Sequence, residues 1–326
     1  MRAVRIHEYG DESVLRIDDV ERPTPGPEAV LLAVDTAAVN PFDTYVREGY
    51  VPPEDGGLPH VLGGDAAGVV ESVGDDVTAF ETGERAFVTG LGLDRPGTYA
   101  EYVAVPEQRL AHLPESISFE TGTAAAEPMT TSMQALERGG MDAGDVVLVQ
   151  GAAGGVGHAA VQVASHEGGF VVGTCSPDSS DAVRAFGADA VVDYSDEDLA
   201  RTISDATGGR PVDVVVETHA AVNVTADVES LATGGTIVVL GEDDDITVSS
   251  PTAGTAKGKQ ASFEFCSHMR ATAHHSEGLT RTARLLQRNE VDVAVDATFP
   301  LAEAGAAQRH CMSSGGIGKT LLDVSG

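Results

Sequence analysis

The stretch from Val146 to Gly157, Val-Val-Leu-Val-Gln-Gly-Ala-Ala-Gly-Gly-Val-Gly, constrains the fold more than any other part of the chain. Four strand-forming residues run into a glycine-rich turn, and an apolar helical segment follows from His158 to Ser165. A turn set between a parallel strand and a helix N-terminus aims free backbone N–H groups and the positive end of the helix dipole at one point. A diphosphate suits that point. Gly154 leaves room for its close approach, and Gly157 lets the helix pack against the sheet. Glycine spacing alone is weak evidence, because a plain strand-to-helix connection can look the same. With strand before and helix after, it predicts a dinucleotide site.

The flanking sequence supports a doubly wound parallel sheet. Strands are predicted over 146–150, 170–174, 190–192, 212–217 and 236–240, and helices over 127–138, 157–167, 178–186, 196–207 and 222–231. That alternation is the pattern of an α/β sheet with helices on both faces. Residues 1–121 read differently. Short apolar runs at 29–34, 69–73, 85–88 and 99–105 are separated by Pro, Gly and Asp turns, which predicts a mostly β region. An amphipathic helix is expected over 278–289, with Leu279, Ala283 and Leu286 on one face. Strand and helix return over 296–324. At 326 residues the chain is long enough for two domains. The expected arrangement is a dinucleotide-binding domain at 122–269, inserted into a domain built from 1–121 and 270–326.

Charge narrows the partners. The chain has 20 Lys+Arg against 51 Asp+Glu, a net charge of −31, and only three lysines, Lys257, Lys259 and Lys319. Such a surface repels nucleic acid and anionic membranes. The acids are spread along the chain and 42% of residues are hydrophobic, so a folded globule is expected. A solvated acidic surface suits high salt, where screening removes the self-repulsion, and points to a halophilic source. No run of eighteen apolar residues is present, and the N-terminus reads as a first strand rather than a leader. Cys175, Cys266 and Cys311 are scattered singly, without a C-x-x-C pair. A reducing, cytoplasmic compartment is the expectation.

Several segments together resemble one family along nearly the whole chain. They are Asn40-Pro41-Phe42-Asp43-Thr44-Tyr45-Val46-Arg47-Glu48-Gly49, Gly63-Gly64-Asp65-Ala66-Ala67-Gly68-Val69-Val70, Gly97-Thr98-Tyr99-Ala100-Glu101-Tyr102, the glycine turn, and Gly318-Lys319-Thr320-Leu321-Leu322. The family is the zinc-independent quinone oxidoreductase (zeta-crystallin-like) branch of the medium-chain dehydrogenase/reductase superfamily. The resemblance implies a Rossmann-type domain inserted into a GroES-like, mostly β catalytic domain. In the zinc branch a Cys stands at the position of Asn40, and Gly-His-Glu at Gly63-Gly64-Asp65. Catalytic zinc takes about three protein ligands and an open position. With the thiol and the imidazole both replaced, no zinc is expected; His274-His275 is the one tight His pair, and no cysteine is near it in sequence.

NAD enzymes place an Asp or Glu at the end of the second strand of such a sheet, to bind the ribose 2′-hydroxyl. This chain has Thr174-Cys175-Ser176 there, which leaves room for a 2′-phosphate and favours NADPH over NADH. Asp178 and Asp181 follow where the family usually has a lysine. They are read as carboxylates that weaken phosphate binding, or as N-cap and first-turn acids; Arg184 is one turn further on. By the resemblance, Tyr194 lies near the phosphate, and Ala153, Gly154, Gly155, Val156, Gly173 and Ser176 line the nucleotide. Asn40 and Thr131 lie at its nicotinamide end, Gly241 sits where strand ends face the cofactor, and Lys319, in the family's Gly-Lys, is a further cofactor contact. Asn40 and Tyr45 are the expected catalytic residues, an amide and a phenol suited to polarising a carbonyl oxygen. Each also has a plain structural reading: Asn40 as a turn residue before Pro41, Tyr45 as packing, Thr131 as a helix-start hydroxyl, Lys319 as an ion pair. Asp43 is expected to be structural, as a cap or paired with Arg47.

The expected activity is hydride transfer from NADPH to a quinone or an α,β-unsaturated carbonyl. An enoyl-thioester reductase is the nearest alternative, and a non-catalytic NADPH-binding protein is the alternative of another class. The resemblance also implies a homodimer whose cofactor-domain sheets join across a two-fold axis, with Thr236–Leu240 towards that edge.

Overall fold

The structure is a computed structural model, and it describes residues 1–54, 57–241, 245–270, 275–313 and 315–326. His274 of the expected His pair lies outside the described residues. The chain forms two compact units, one of Met1–Thr130 with His268–Gly326 and one of Thr131–Ser267.

The first unit is built on a sheet in the order Val295–Pro300, Lys319–Asp323, Ala29–Val39, Asp65–Val73, Arg85–Val88 and Leu110–His112, with Tyr102–Pro106 also paired to Ala29–Val39. Apart from the first, parallel pair, these strands run antiparallel. A smaller sheet joins Leu15–Asp19, Arg2–Ile6 and His60–Val61. Its core holds Ile6, Leu32, Leu62, Tyr99, Leu110 and Leu322, all essentially sealed from solvent. The Asp65–Val73 strand starts four residues before the predicted run, because Asp65 and the small residues after it face a buried partner strand.

The second unit is a six-stranded parallel sheet in the order Ala190–Asp193, Phe170–Cys175, Val146–Val149, Val212–Glu217, Leu231–Val239 and Ser262–Phe265. All four residues of Val146–Val149 are buried, as expected of a parallel strand covered on both faces. Two elements escaped prediction: the helix Ser250–Lys259, which carries Pro251, Gly254 and Gly258, and the strand Ser262–Phe265. That strand forms the sheet's edge, with Leu231–Val239 next to it. Leu231, expected to end a helix, opens a nine-residue strand instead. At the end of the helix, Lys257 is exposed while Lys259 donates to the carbonyl oxygens of Glu229 and Leu231 at 2.6 and 2.7 Å. No helix among the described residues is long and apolar enough to cross a membrane.

Candidate functional site

The glycine turn sits at the carboxyl end of the central strand Val146–Val149. Gly151 opens it with φ +66°, a left-handed conformation that favours glycine. Gly154 caps the helix Gly155–His166 from an extended conformation, so the first N–H groups of that helix have no intrahelical acceptor. A side chain at Gly154 would meet only the Gly151 carbonyl oxygen, at 3.4 Å, so this face is open. A Cβ at Gly157 would collide with that same oxygen and with Ala152, which explains why the helix can approach the turn only with glycine there. His158 secures the turn from the helix side, its Nδ1 lying 3.0 Å from the Gly154 carbonyl oxygen. An open cradle of donors at the end of a 12-residue helix fits a diphosphate.

Ala153, Gly154, Gly155 and Val156 therefore lie together in this turn. Gly173 is covered by Ala152 and Val183, which leave no room for a side chain. Ser176 and Tyr194 follow neighbouring strands, and the Tyr194 N–H donates to the Cys175 carbonyl at 3.3 Å. Tyr194 is 54% exposed. Ser176 Oγ meets Ser179 Oγ at 3.1 Å. Asp178 caps nothing: Ser176 and Ser179 occupy the cap positions of the short turn and the helix that follow. Asp178 and Asp181 are first-turn acids, as expected, and Asp181 lies 3.6 Å from Arg184 in an exposed pair. Thr131 is buried on the helix Phe119–Gly139, beside Ser132, whose hydroxyl donates to the Val156 carbonyl at 3.3 Å. Gly241 packs on the Thr218 carbonyl. Cys175 is buried, and burial raises its thiol pKa, so it is packing and not a nucleophile.

Asn40, Tyr45 and Lys319 belong to the first unit. Asn40 is the extended residue before Pro41, and Pro41 starts the helix Pro41–Glu48. Asp43 is a cap, as one reading had it: its carboxylate accepts from the Asn40 N–H at 2.8 Å and from the Tyr99 hydroxyl at 2.9 Å. Arg47 does not pair with Asp43; it donates to Gln308 at 2.5 Å and to the Gly10 carbonyl at 3.0 Å. The Asn40 side chain is 7% exposed for the whole residue and held at both ends. Its Nδ2 donates to Asp65 at 2.7 Å, and its Oδ1 accepts from the Lys319 ammonium. Lys319 also lies 3.5 Å from Glu127 and donates to the Val39 carbonyl at 3.3 Å. Tyr45 is half-buried on the same short helix.

Asp65 extends the network. It accepts from the Thr89 hydroxyl at 2.7 Å, and Thr89 Oγ1 lies 2.7 Å from His268 Nε2. Since Thr89 has one proton and gives it to Asp65, His268 must donate through Nε2–H. Burial, then His275 and Lys319, hold the His268 pKa well below its usual value, so the ring is neutral. The rings of His268 and His275 stack at 4.4 Å. Burial pushes Asp65 up to about 7 and Asp43 up to about 6, against the pull of Lys319. For Lys319 burial opposes the charge, but Glu127, Asp65, Cys311 and Asp43 outweigh it, and its pKa is raised. Asp65, Thr89, Glu127 and His268 were not singled out from sequence as site residues. Their one sequence signal was Asp65, in the position where the zinc branch has glutamate. Among the described residues, no group of three or more His, Cys, Asp or Glu side chains is placed to hold a metal ion.

Residues 26–115 match the family model described as alcohol dehydrogenase GroES-like domain, and residues 186–322 match that described as zinc-binding dehydrogenase. A quinone oxidoreductase of Rattus norvegicus is 32% identical over 99% of this chain and 97% of its own. Among solved structures, an NAD-dependent alcohol dehydrogenase superposes with a TM-score of 0.91 at 30% identity over the whole of both chains. A mycobacterial protein complexed with NADPH gives 0.89 at 28% identity, over 99% of this chain and 100% of that one.

Proposed function

The chain belongs to the quinone oxidoreductase family, and from that premise we propose an NADPH-dependent, zinc-independent oxidoreductase that passes hydride to a quinone or to the β-carbon of an α,β-unsaturated carbonyl. The observation that carries this reading is the clamped amide of Asn40. Asp65 takes one N–H and Lys319 takes the oxygen, so the amide dipole is fixed. Its second N–H is the donor for the acceptor oxygen that gains charge. Tyr45 supplies a phenol on the adjoining helix. When bound, NADPH supplies the hydride. Helix N–H groups at Gly155 and Val156 hold its diphosphate, Gly154 admits it, and Ser176 and Tyr194 receive the adenosine end. Gly173, Gly241 and Thr131 are assigned to the same cofactor, as is Lys319, through Asn40. The thiol and imidazole that would bind zinc are replaced by Asn40 and Gly64, and the Lys319 ammonium already provides the cation between the buried carboxylates.

NADH is the second cofactor reading. It is favoured by the Asp181–Arg184 pair and by the likeness to a protein described as NAD-dependent. An enoyl-thioester acceptor fits less well, because the phosphates of coenzyme A need cations and Lys257 is the single well-exposed lysine. A homodimer is assigned to the Ser262–Phe265 edge, where Phe265 is 65% exposed beside Phe263, Ile246 and Val248. Three free cysteines and an acidic surface suit the cytoplasm of a halophile.

Steady-state oxidation of NADPH and NADH in molar KCl tests the reading, with an ortho-quinone, a para-quinone, a simple enone and an enoyl-thioester as acceptors. Turnover of a quinone or enone that prefers NADPH is expected. Tight NADPH binding with no turnover of any acceptor would make the protein a non-catalytic binder. Light scattering in the same buffer tests the dimer, and a monomer would refute it.

A further inference from the structure

A second buried polar knot lies beneath the glycine turn. Glu217 ends the strand Val212–Glu217, Asp227 lies on the helix Ala220–Ser230, and both residues are fully buried. Each carboxyl uses one oxygen on ordinary donors. Glu217 Oε1 accepts from the His219 N–H and, at 3.4 Å, from Asn223 Nδ2, while Asp227 Oδ1 accepts from Gln150 Nε2 at 2.8 Å. The other two oxygens, Glu217 Oε2 and Asp227 Oδ2, are buried with no N–H or O–H donor from another residue. Burial first, and then the Glu217 carboxyl, raise the Asp227 pKa well above its usual value. Two buried anions side by side without a cation would each cost several kcal/mol. A single proton between the two remaining oxygens removes one charge and satisfies both atoms.

Among the described residues, no cation hydrogen-bonds either remaining oxygen. His219 presents its backbone N–H, Lys259 is committed to the Glu229 and Leu231 carbonyls, and Glu229 is exposed. Asp213, at the far end of the same strand, accepts from the Val146 N–H at 2.9 Å. Arg201 and Asp205, on the neighbouring helix Leu199–Ala206, are exposed and face each other at 3.9 Å.

From Asp227 a chain of oriented bonds reaches the turn. Gln150 gives its amide N–H to Asp227, so its Oε1 accepts from the Thr174 hydroxyl, at 2.6 Å. Having donated its proton, Thr174 Oγ1 accepts from the Gly151 N–H at 3.2 Å. Thr218 closes the other side, donating to the Gln150 carbonyl at 3.1 Å. We propose that Glu217 and Asp227 share one proton and act, through Gln150 and Thr174, as positioning residues that hold the cofactor-binding turn at Gly151. The positioning role rests on the dinucleotide reading of the turn; the shared proton does not.

The test uses the full chain in molar KCl, with two readouts. One is the infrared difference spectrum of wild type minus Asp227→Asn at pH 8. The other is the NADPH dissociation constant, read by cofactor fluorescence. A protonated-carboxyl band is expected in the difference spectrum, and its absence overturns the shared proton. Asp227→Asn, whose amide N–H replaces that proton, should bind NADPH within about threefold of wild type. Asp227→Ala should bind at least about tenfold more weakly, and Gln150→Met, which severs the chain but leaves the acid pair, should do the same. If Gln150→Met binds NADPH as wild type does, the positioning role is overturned whether or not Asp227→Ala folds. A wild-type chain that binds neither NADPH nor NADH overturns the cofactor reading and the positioning role with it, while the infrared band still decides the proton.

Discussion

Two regions of this molecule bury carboxyl groups, and they neutralise them by opposite means. In the first unit, Asp65 and Glu127 surround the ammonium of Lys319, with Asp43 close by. The ammonium charge is retained there by the carboxyls around it, and Asn40 is caught between Lys319 and Asp65. In the second unit, among the described residues, no cation bonds the free oxygens of Glu217 and Asp227, and a proton takes that place. The contrast teaches what each knot is suited to. An ammonium held among carboxyls keeps a directed field on a neighbouring amide, which suits a group that must meet developing charge. A protonated pair has little field and strong geometry, which suits a strut.

The comparison can be broken most severely at Lys319. Lys319→Met strands carboxylates without a counter-charge and should cost about 3–5 kcal/mol in equilibrium unfolding; a variant as stable as wild type would show that the first knot is not held by charge balance. Asn40→Ala comes next. It removes the clamped donor and should lower kcat about 100-fold with little change in the NADPH dissociation constant; equal losses in both would reduce Asn40 to a cofactor contact.

The second knot is sharpened by pH. Burial, then Glu217, raises the Asp227 pKa well above 3.8. Above that pH the native state keeps a proton that the unfolded chain has lost, so this group makes stability fall as pH rises. Asp227→Asn lacks the effect. Its stability relative to wild type should be least favourable near pH 4 and should improve by about 1 kcal/mol or more by pH 8. A relative stability of Asp227→Asn that worsens with rising pH would contradict the shared proton. The smallest effect is expected at Tyr194, half-exposed at the adenosine end: Tyr194→Phe should raise the NADPH dissociation constant by no more than about threefold and leave NADH binding unchanged.

The parts of the molecule legible in sequence were those with a local signal. Val146 to Gly157 declares strand, turn and helix within twelve residues, and the strand and helix stand where their periodicity puts them. The helix Ser250–Lys259 declares nothing, because its glycines and proline suppress helix propensity and only Thr252 is buried. The Ser262–Phe265 strand is short and mostly exposed, without the apolar run that marks a buried strand. Both polar knots were hidden for another reason. Asn40, Asp65, Thr89, Glu127, His268 and Lys319 come from six separate stretches of chain, and no spacing rule links them. Asp43 was legible as a cap, since a carboxylate at the third helical position commonly closes the first turn. That Arg47 would turn away to Gln308 depends on a segment some 260 residues distant.

The scarcity of lysine has a practical corollary. Lys319 is sealed, Lys259 is held by two carbonyls, and the amino group of Met1 donates to the Val20 carbonyl at 2.8 Å. Lys257, on the last turn of the helix Ser250–Lys259, is the one side-chain amine standing open to solvent. An aldehyde- or ester-activated support would capture the protein chiefly through that turn, so that immobilised molecules share one orientation without an engineered tag.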